Sequence, residues 1–191
     1  MTARTHDLAA FASLITLAVH YPPPALNLAT LFSALIACVV GSLIPDMDQD
    51  SNRLWDLLPG GDFLGKIFKK IFLGHRSISH SLLGIFLYYQ FFSWLLPKFL
   101  NSLFINPQII LSSLMIGLIS HLLTDSLTEE GIPLFFPFSF KTGFPPIHSW
   151  RIKTGGWFEK LIIFPGIVVY LIFFIRLYSG QIITILKQLT V

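Results

Sequence analysis

Histidines and carboxylates cluster in a few short stretches of this chain, each at an edge of an apolar run. The densest is Gly74-His75-Arg76-Ser77-Ile78-Ser79-His80-Ser81, a polar entry to a long hydrophobic segment. Asp46, Asp48 and Asp50 follow Pro45 at the end of another such segment, and His121-Leu122-Leu123-Thr124-Asp125 closes a third. His6 and Asp7 open the first apolar run, and Glu159 opens the last. His121 and Asp125 are i, i+4, so a helix projects both from one face, where two ligands can share an ion. His75 and His80 are i, i+5 and converge only if His75 lies in a loop and His80 near a first helical turn, with Ser77 or Ser79 as N-cap. The alternating aspartates point the same way if the chain after Pro45 is extended. An EF-hand is excluded, because the sixth position from Asp46 is Ser51 and the twelfth is Leu57.

Neutral imidazoles together with carboxylates suit Zn²⁺ first, with Mn²⁺ or Fe²⁺ as alternatives, and a bound ion can activate water for hydrolysis. The expected metal ligands are His6, Asp48, His75, His80, His121 and Asp125. Asp46, Asp48, Arg76 and Glu159 are the expected catalytic groups: an unliganded carboxylate as general base, and Arg76 to steady an oxyanion.

Composition decides where this chemistry happens. The chain has 191 residues, 53% hydrophobic and 12% charged, with a mean hydropathy of +0.70. A soluble domain carries about 25% charged residues, so this is a membrane protein of one helical domain, residues 1–191. Its single cysteine, Cys38, lies in an apolar run, which excludes an internal disulfide and a cysteine-based zinc knuckle. Asp7 near the start, and the lack of a small-residue cleavage site, read as a retained first helix.

About five transmembrane spans are expected: 8–21, 25–45, 82–99, 106–127 and 161–178, with an amphipathic tail over 181–191. The first is short for a crossing and stops at Pro22-Pro23-Pro24. Basic residues concentrate in 46–81 (Arg53, Lys66, Lys69, Lys70, Arg76) and 128–160 (Lys141, Arg151, Lys153, Lys160), which places both loops and the N-terminus in the cytoplasm. Every Asp and Glu then falls on that face, as does every His except His20. Residues 62–72 have the pattern of an interfacial helix. Apolar, proline-rich 131–138 is expected to dip into the interface beside the polar cluster.

In this order and spacing the chain resembles the membrane-bound metal-dependent hydrolases, also described as LexA-binding, inner-membrane-associated hydrolases. The resemblance covers nearly the whole chain. It rests on Thr5-His6, Gly41-Ser42-Leu43-Ile44-Pro45-Asp46-Met47-Asp48, the His75–Ser81 block, His121–Asp125 with Gly131 and Pro137, and Thr154-Gly155-Gly156-Trp157-Phe158-Glu159. It implies a metal-dependent hydrolase of the cytoplasmic membrane. Together these readings point to cleavage of a phosphoester or ester in a lipid or lipid-linked substrate, with membrane lipids as partners and no direct nucleic-acid binding. Histidine-nucleophile lipid phosphatases are set aside because Leu114-Met115 stand where a Ser-Arg pair is needed, and intramembrane zinc proteases because His-Glu-x-x-His is missing. Two other classes stay open. One is a binding or regulatory protein with the polar cluster as docking surface. The other is a metal or proton transporter, which would want ionisable groups near the bilayer midplane.

Overall fold

A computed structural model of the chain describes residues 1–49, 52–56, 61, 63, 65–66, 78–138 and 140–190, without the side chains of residues 48, 53 and 190. Within these residues the fold is all-helical: α1 Ala3–His20, α2 Leu28–Leu43, α3 Arg53–Asp56, α4 Leu82–Phe99, α5 Pro107–Ser126, α6 Phe164–Leu177 and α7 Ser179–Lys187. Short 3-10 turns at Pro45–Asp48 and Ile78–His80 precede the loop after α2 and the start of α4. A π turn, Glu159–Ile163, runs into α6. Pro165 has no N–H to offer four residues back, and the wider turn absorbs that loss. Outside the helices the described residues show isolated bridges only, Thr128 with Ile152 and Ile132 with Thr142.

The bundle is organised around α5, which packs against α1, α2 and α4. Its buried residues run from Ile110 to Asp125 and cover most of its circumference. Asn106 caps it, accepting from the N–H groups of Gln108 and Ile109, while Asn27 caps α2 by accepting from Thr30 N. These two helices start together, since Asn106 N donates to Thr30 Oγ1 at 3.1 Å. Their backbones also touch along their length. A Cβ on Gly117 would sit 2.0 Å from the Cys38 carbonyl oxygen, and one on Gly41 would sit 2.1 Å from that of Leu114. Small residues at a helix crossing permit this approach. It brings the C-terminal ends of α2 and α5 side by side.

Among the described residues, two helical stretches are long and apolar enough to cross a membrane, Pro107–Ser126 and Glu159–Leu177, fewer than the five spans expected. The physical reasons are local. Helix α2 has only 16 residues; α1 carries Arg4, His6 and Asp7; α4 carries Tyr88, Tyr89, Gln90, Pro97 and Lys98, which lower its hydropathy. The Glu159–Leu177 stretch is the most apolar yet mostly exposed, with Ile172, Phe173 and Leu177 on the outside. An apolar exterior of this extent is what a lipid-facing helix presents. The expected interfacial helix, residues 62–72, lies for the most part outside the described residues.

Loop 127–158 folds back over the end of the bundle. The Arg151 guanidinium donates to the carbonyls of Gly143, Pro145 and Pro146, and Leu134 O accepts from Leu82 N at the start of α4. Ile132 is buried in the core, and Phe138 is exposed.

The Gly117 contact makes a clear test. Gly117→Ala should lower the thermal midpoint in detergent, by about 1–3 kcal/mol of stability as for other overpacked sites. Gly166→Ala, whose Cβ meets nothing within 4 Å, should leave it unchanged or slightly raised.

Candidate metal centre

Four polypeptide ends meet at one pole of the bundle: the starts of α1 and α4 and the ends of α2 and α5. They bring together His6, Asp46, His80, His121 and Asp125. His80 Nε2 lies 3.5 Å from Asp46 Oδ1 and 3.7 Å from Asp125 Oδ2; His121 Nε2 lies 3.7 Å from each of the same two oxygens. The donor atoms of Asp46, His80, His121 and Asp125 all fall within 4.8 Å of one another. His80, His121 and Asp125 are fully buried, and Asp46, 26% exposed at its side chain, forms the mouth.

Each ring is held by its other nitrogen. His121 Nδ1 donates to the Ser42 carbonyl at 2.6 Å, so a neutral ring carries its proton there and turns a lone pair inward at Nε2. His6 Nδ1 lies 2.7 Å from Thr124 Oγ1, which also reaches the carbonyls of Ser120 and His121. With the hydroxyl hydrogen on either carbonyl, His6 Nδ1 donates and its lone pair too is at Nε2. His80 Nδ1 pairs with Ser79 Oγ at 2.9 Å. The Nε2 atoms of His6 and His121 are buried and form no hydrogen bond.

That combination fits a divalent cation. Bonds of about 2.0–2.1 Å in a tetrahedron imply donor–donor edges of about 3.4 Å, close to the 3.5–3.7 Å observed between His and Asp atoms. Histidines oriented through the second nitrogen are the usual outer shell of a metal site. The ends of α2 and α5 add the negative poles of two helices.

Burial pushes the His80 imidazole below its ordinary 6.5, although the Asp46 carboxylate opposes this. For Asp46 burial acts upward, but hydrogen bonding from His80 and the neighbouring His121 outweigh it and hold the carboxyl below its usual range. His80 is thus neutral and Asp46 ionised near neutral pH, as ligation requires.

Several expectations change. Pro45–Asp48 is a 3-10 turn rather than an extended strand, and from it Asp46 faces His80 and His121; the Asp48 side chain and Asp50 lie outside the described residues. Ser81, not Ser77 or Ser79, caps α4, accepting from Gly84 N at 3.0 Å; Ser79 is engaged with His80. Glu159 is not among the converging donors. Its carboxylate accepts from Thr2 N, Thr2 Oγ1, Thr5 Oγ1 and Gly155 N, each at 2.7–2.8 Å, and so ties the start of α1 to the π turn. This is a positioning role rather than the expected catalytic one. His75, Arg76 and the Asp48 side chain lie outside the described residues. His20 sits at the far pole against Phe174 and Tyr178. Sequence reasoning did not find the Ser42 carbonyl or Thr124. A backbone acceptor leaves no signature in residue identity, although Thr124 lies within the His121–Asp125 block. A cavity of about 550 Å³, lined by Leu14, Val19, Pro23, Ile109 and Ile185 among others, opens at the opposite pole and holds none of these groups.

Residues 1–183 match the model of the family described as YdjM inner membrane protein. The chain belongs to this family. It is 31% identical over 182 residues to the uncharacterized protein YvsG of Bacillus subtilis (strain 168), covering 95% of this chain and 99% of that one. It is 33% identical over 113 residues to the inner membrane protein YdjM of Escherichia coli (strain K12) and to that of Shigella flexneri, covering 59% of this chain and 52% of each relative. No solved structure matches it. The family description places its members in the inner membrane, and none of these names states a reaction.

Two outcomes follow from this geometry. A group whose folded pKa is depressed loses its stabilisation as pH falls. Thermal midpoints of the metal-free protein should therefore drop as pH falls below about 6.5, where an unfolded histidine protonates but His80 resists. His80→Gln should flatten that slope. Glu159→Gln, by contrast, should lower the midpoint at every pH while leaving metal content unchanged.

Proposed function

We propose that this protein is a metal-dependent hydrolase of the cytoplasmic membrane, acting on an ester or phosphoester of a lipid or lipid-linked substrate. The supporting observation is the buried convergence of His80, His121, Asp125 and Asp46 with His121 locked in the tautomer that ligation needs. The fold is read as five crossings with the N-terminus inside, supported by the basic residues of the two loops at the polar pole. The exposed apolar face of α6 supports it too.

His80, His121, Asp125 and Asp46 would hold the ion. When bound, a divalent ion supplies Lewis acidity toward an ester or phosphoryl oxygen and activates water. The chain's own residues do the rest. Ser42 and Ser79 keep the His121 and His80 rings turned inward. Asp46 marks the open side, and Asp48, which is not among the four ligands, is the carboxylate proposed to accept the proton of the attacking water. Arg76 is proposed to steady the developing oxyanion. Loop 127–158, with Phe138 exposed, forms the wall a lipid tail passes.

A second reading has its own observation. Four protein donors, three of them buried, are also the make-up of a closed structural metal site, which would serve a binding or regulatory membrane protein.

Elemental analysis of detergent-purified protein decides first. Wild type should carry stoichiometric zinc, manganese or iron, and His80→Ala and Asp125→Ala should lose it; no metal in wild type after reconstitution with each ion would overturn the hydrolase mechanism. Turnover of lipid phosphoesters that falls at least 100-fold in Asp48→Asn, with metal retained, supports the enzyme. Unfolding on chelation with no turnover of any ester supports the structural reading.

A further inference from the structure

The two oxygens of Asp125 face different partners. Oδ2 lies 3.7 Å from the Nε2 atoms of both His80 and His121, in the four-donor group. Oδ1 lies 3.2 Å from His6 Nε2, and the Met1 amino group donates to the same atom. His6 does not belong to the four-donor group, yet it is buried and its Nε2 makes no hydrogen bond.

Ring geometry explains why His6 stands apart. The His6 and His121 imidazoles are stacked, with centroids 3.8 Å apart and planes within 10° of parallel. A metal binds a histidine in the ring plane, along the nitrogen lone pair, at about 2.0–2.1 Å. Lone pairs of two parallel rings run side by side and do not meet. An ion in the plane of His121 is therefore out of bonding reach of His6, which needs an ion of its own.

We propose that the centre is dinuclear, with a second cation held by His6 Nε2 and Asp125 Oδ1 and Asp125 bridging the two. This rests on the metal reading above and deepens it. The stacking distance sets the two ions about 3.5–4 Å apart, the spacing of two-metal sites that clamp the attacking and leaving oxygens of an in-line displacement. The chain's described residues give the second ion two donors; the ion displaces the Met1 ammonium from Asp125 Oδ1, and water and substrate oxygens fill its remaining positions. The substrate class is accordingly a phosphoester, whose several oxygens can span both ions, rather than a carboxylic ester. The second ion binds more weakly than the first, because it has fewer protein ligands.

The test is metal stoichiometry in the full-length, detergent-purified protein, loaded to saturation with Zn²⁺ and separately with Mn²⁺. Two ions per chain are expected in wild type, and a spin-coupled Mn²⁺ pair in its electron paramagnetic resonance spectrum. His6→Ala should hold one ion and give an isolated six-line Mn²⁺ signal. One ion per chain in wild type at saturation overturns the dinuclear centre and leaves the four-donor site standing. Two uncoupled ions, or two ions in His6→Ala, also overturn it. No ion at all overturns both readings. The wild-type spectrum needs no substitution, so a His6 variant that fails to fold does not remove the test.

Discussion

The hydrogen bond from His121 Nδ1 to the Ser42 carbonyl is the contact on which the pole depends. It needs two helices whose backbones nearly touch, which Gly41 and Gly117 permit. In return it orients His121, which faces both aspartates as His80 does and also stacks on His6. A side chain larger than glycine at either crossing point would part α2 from α5 and pull the carbonyl away from the ring.

Around that contact, three further elements each place one chemical group. Helix α1 brings His6, anchored through Thr124 on α5 and secured at its start by Glu159. The turn after α2 brings Asp46 to the mouth, and the turn before α4 brings His80 into the buried centre. Charged and polar groups buried this deeply are costly unless paired, and the pairing here is mutual: imidazole against carboxylate, with the rings held from behind. Such a pocket favours a cation, because the aspartates and the carbonyl ends of two helices set its potential. The Glu159–Leu177 stretch that leads away from this pole carries an apolar, mostly exposed surface.

Much of this was legible in the residues alone. An excess of apolar over charged residues determines a membrane protein, because the chain has too few charges to face water all round. The i, i+4 spacing of His121 and Asp125 determines that they share a helix face, and the structure brings His80 and Asp46 to that face through turns the spacing did not anticipate. The span count was less legible. Helices such as α1 and α4 carry polar and aromatic residues that make their hydropathy ambiguous, whichever way they lie.

Tertiary structure alone decided three things. It showed that Glu159 clasps α1, since four donors converge on it from residues distant in sequence. It folded Pro45–Asp48 into a 3-10 turn, with Asp46 facing the histidines. And it set His6 parallel to His121 rather than pointing at the same place, a matter of ring planes that no spacing encodes. Sequence determines which groups a helix end carries and on which face. Where the lone pairs point depends on what lies behind each ring, and that is settled only when the helices pack.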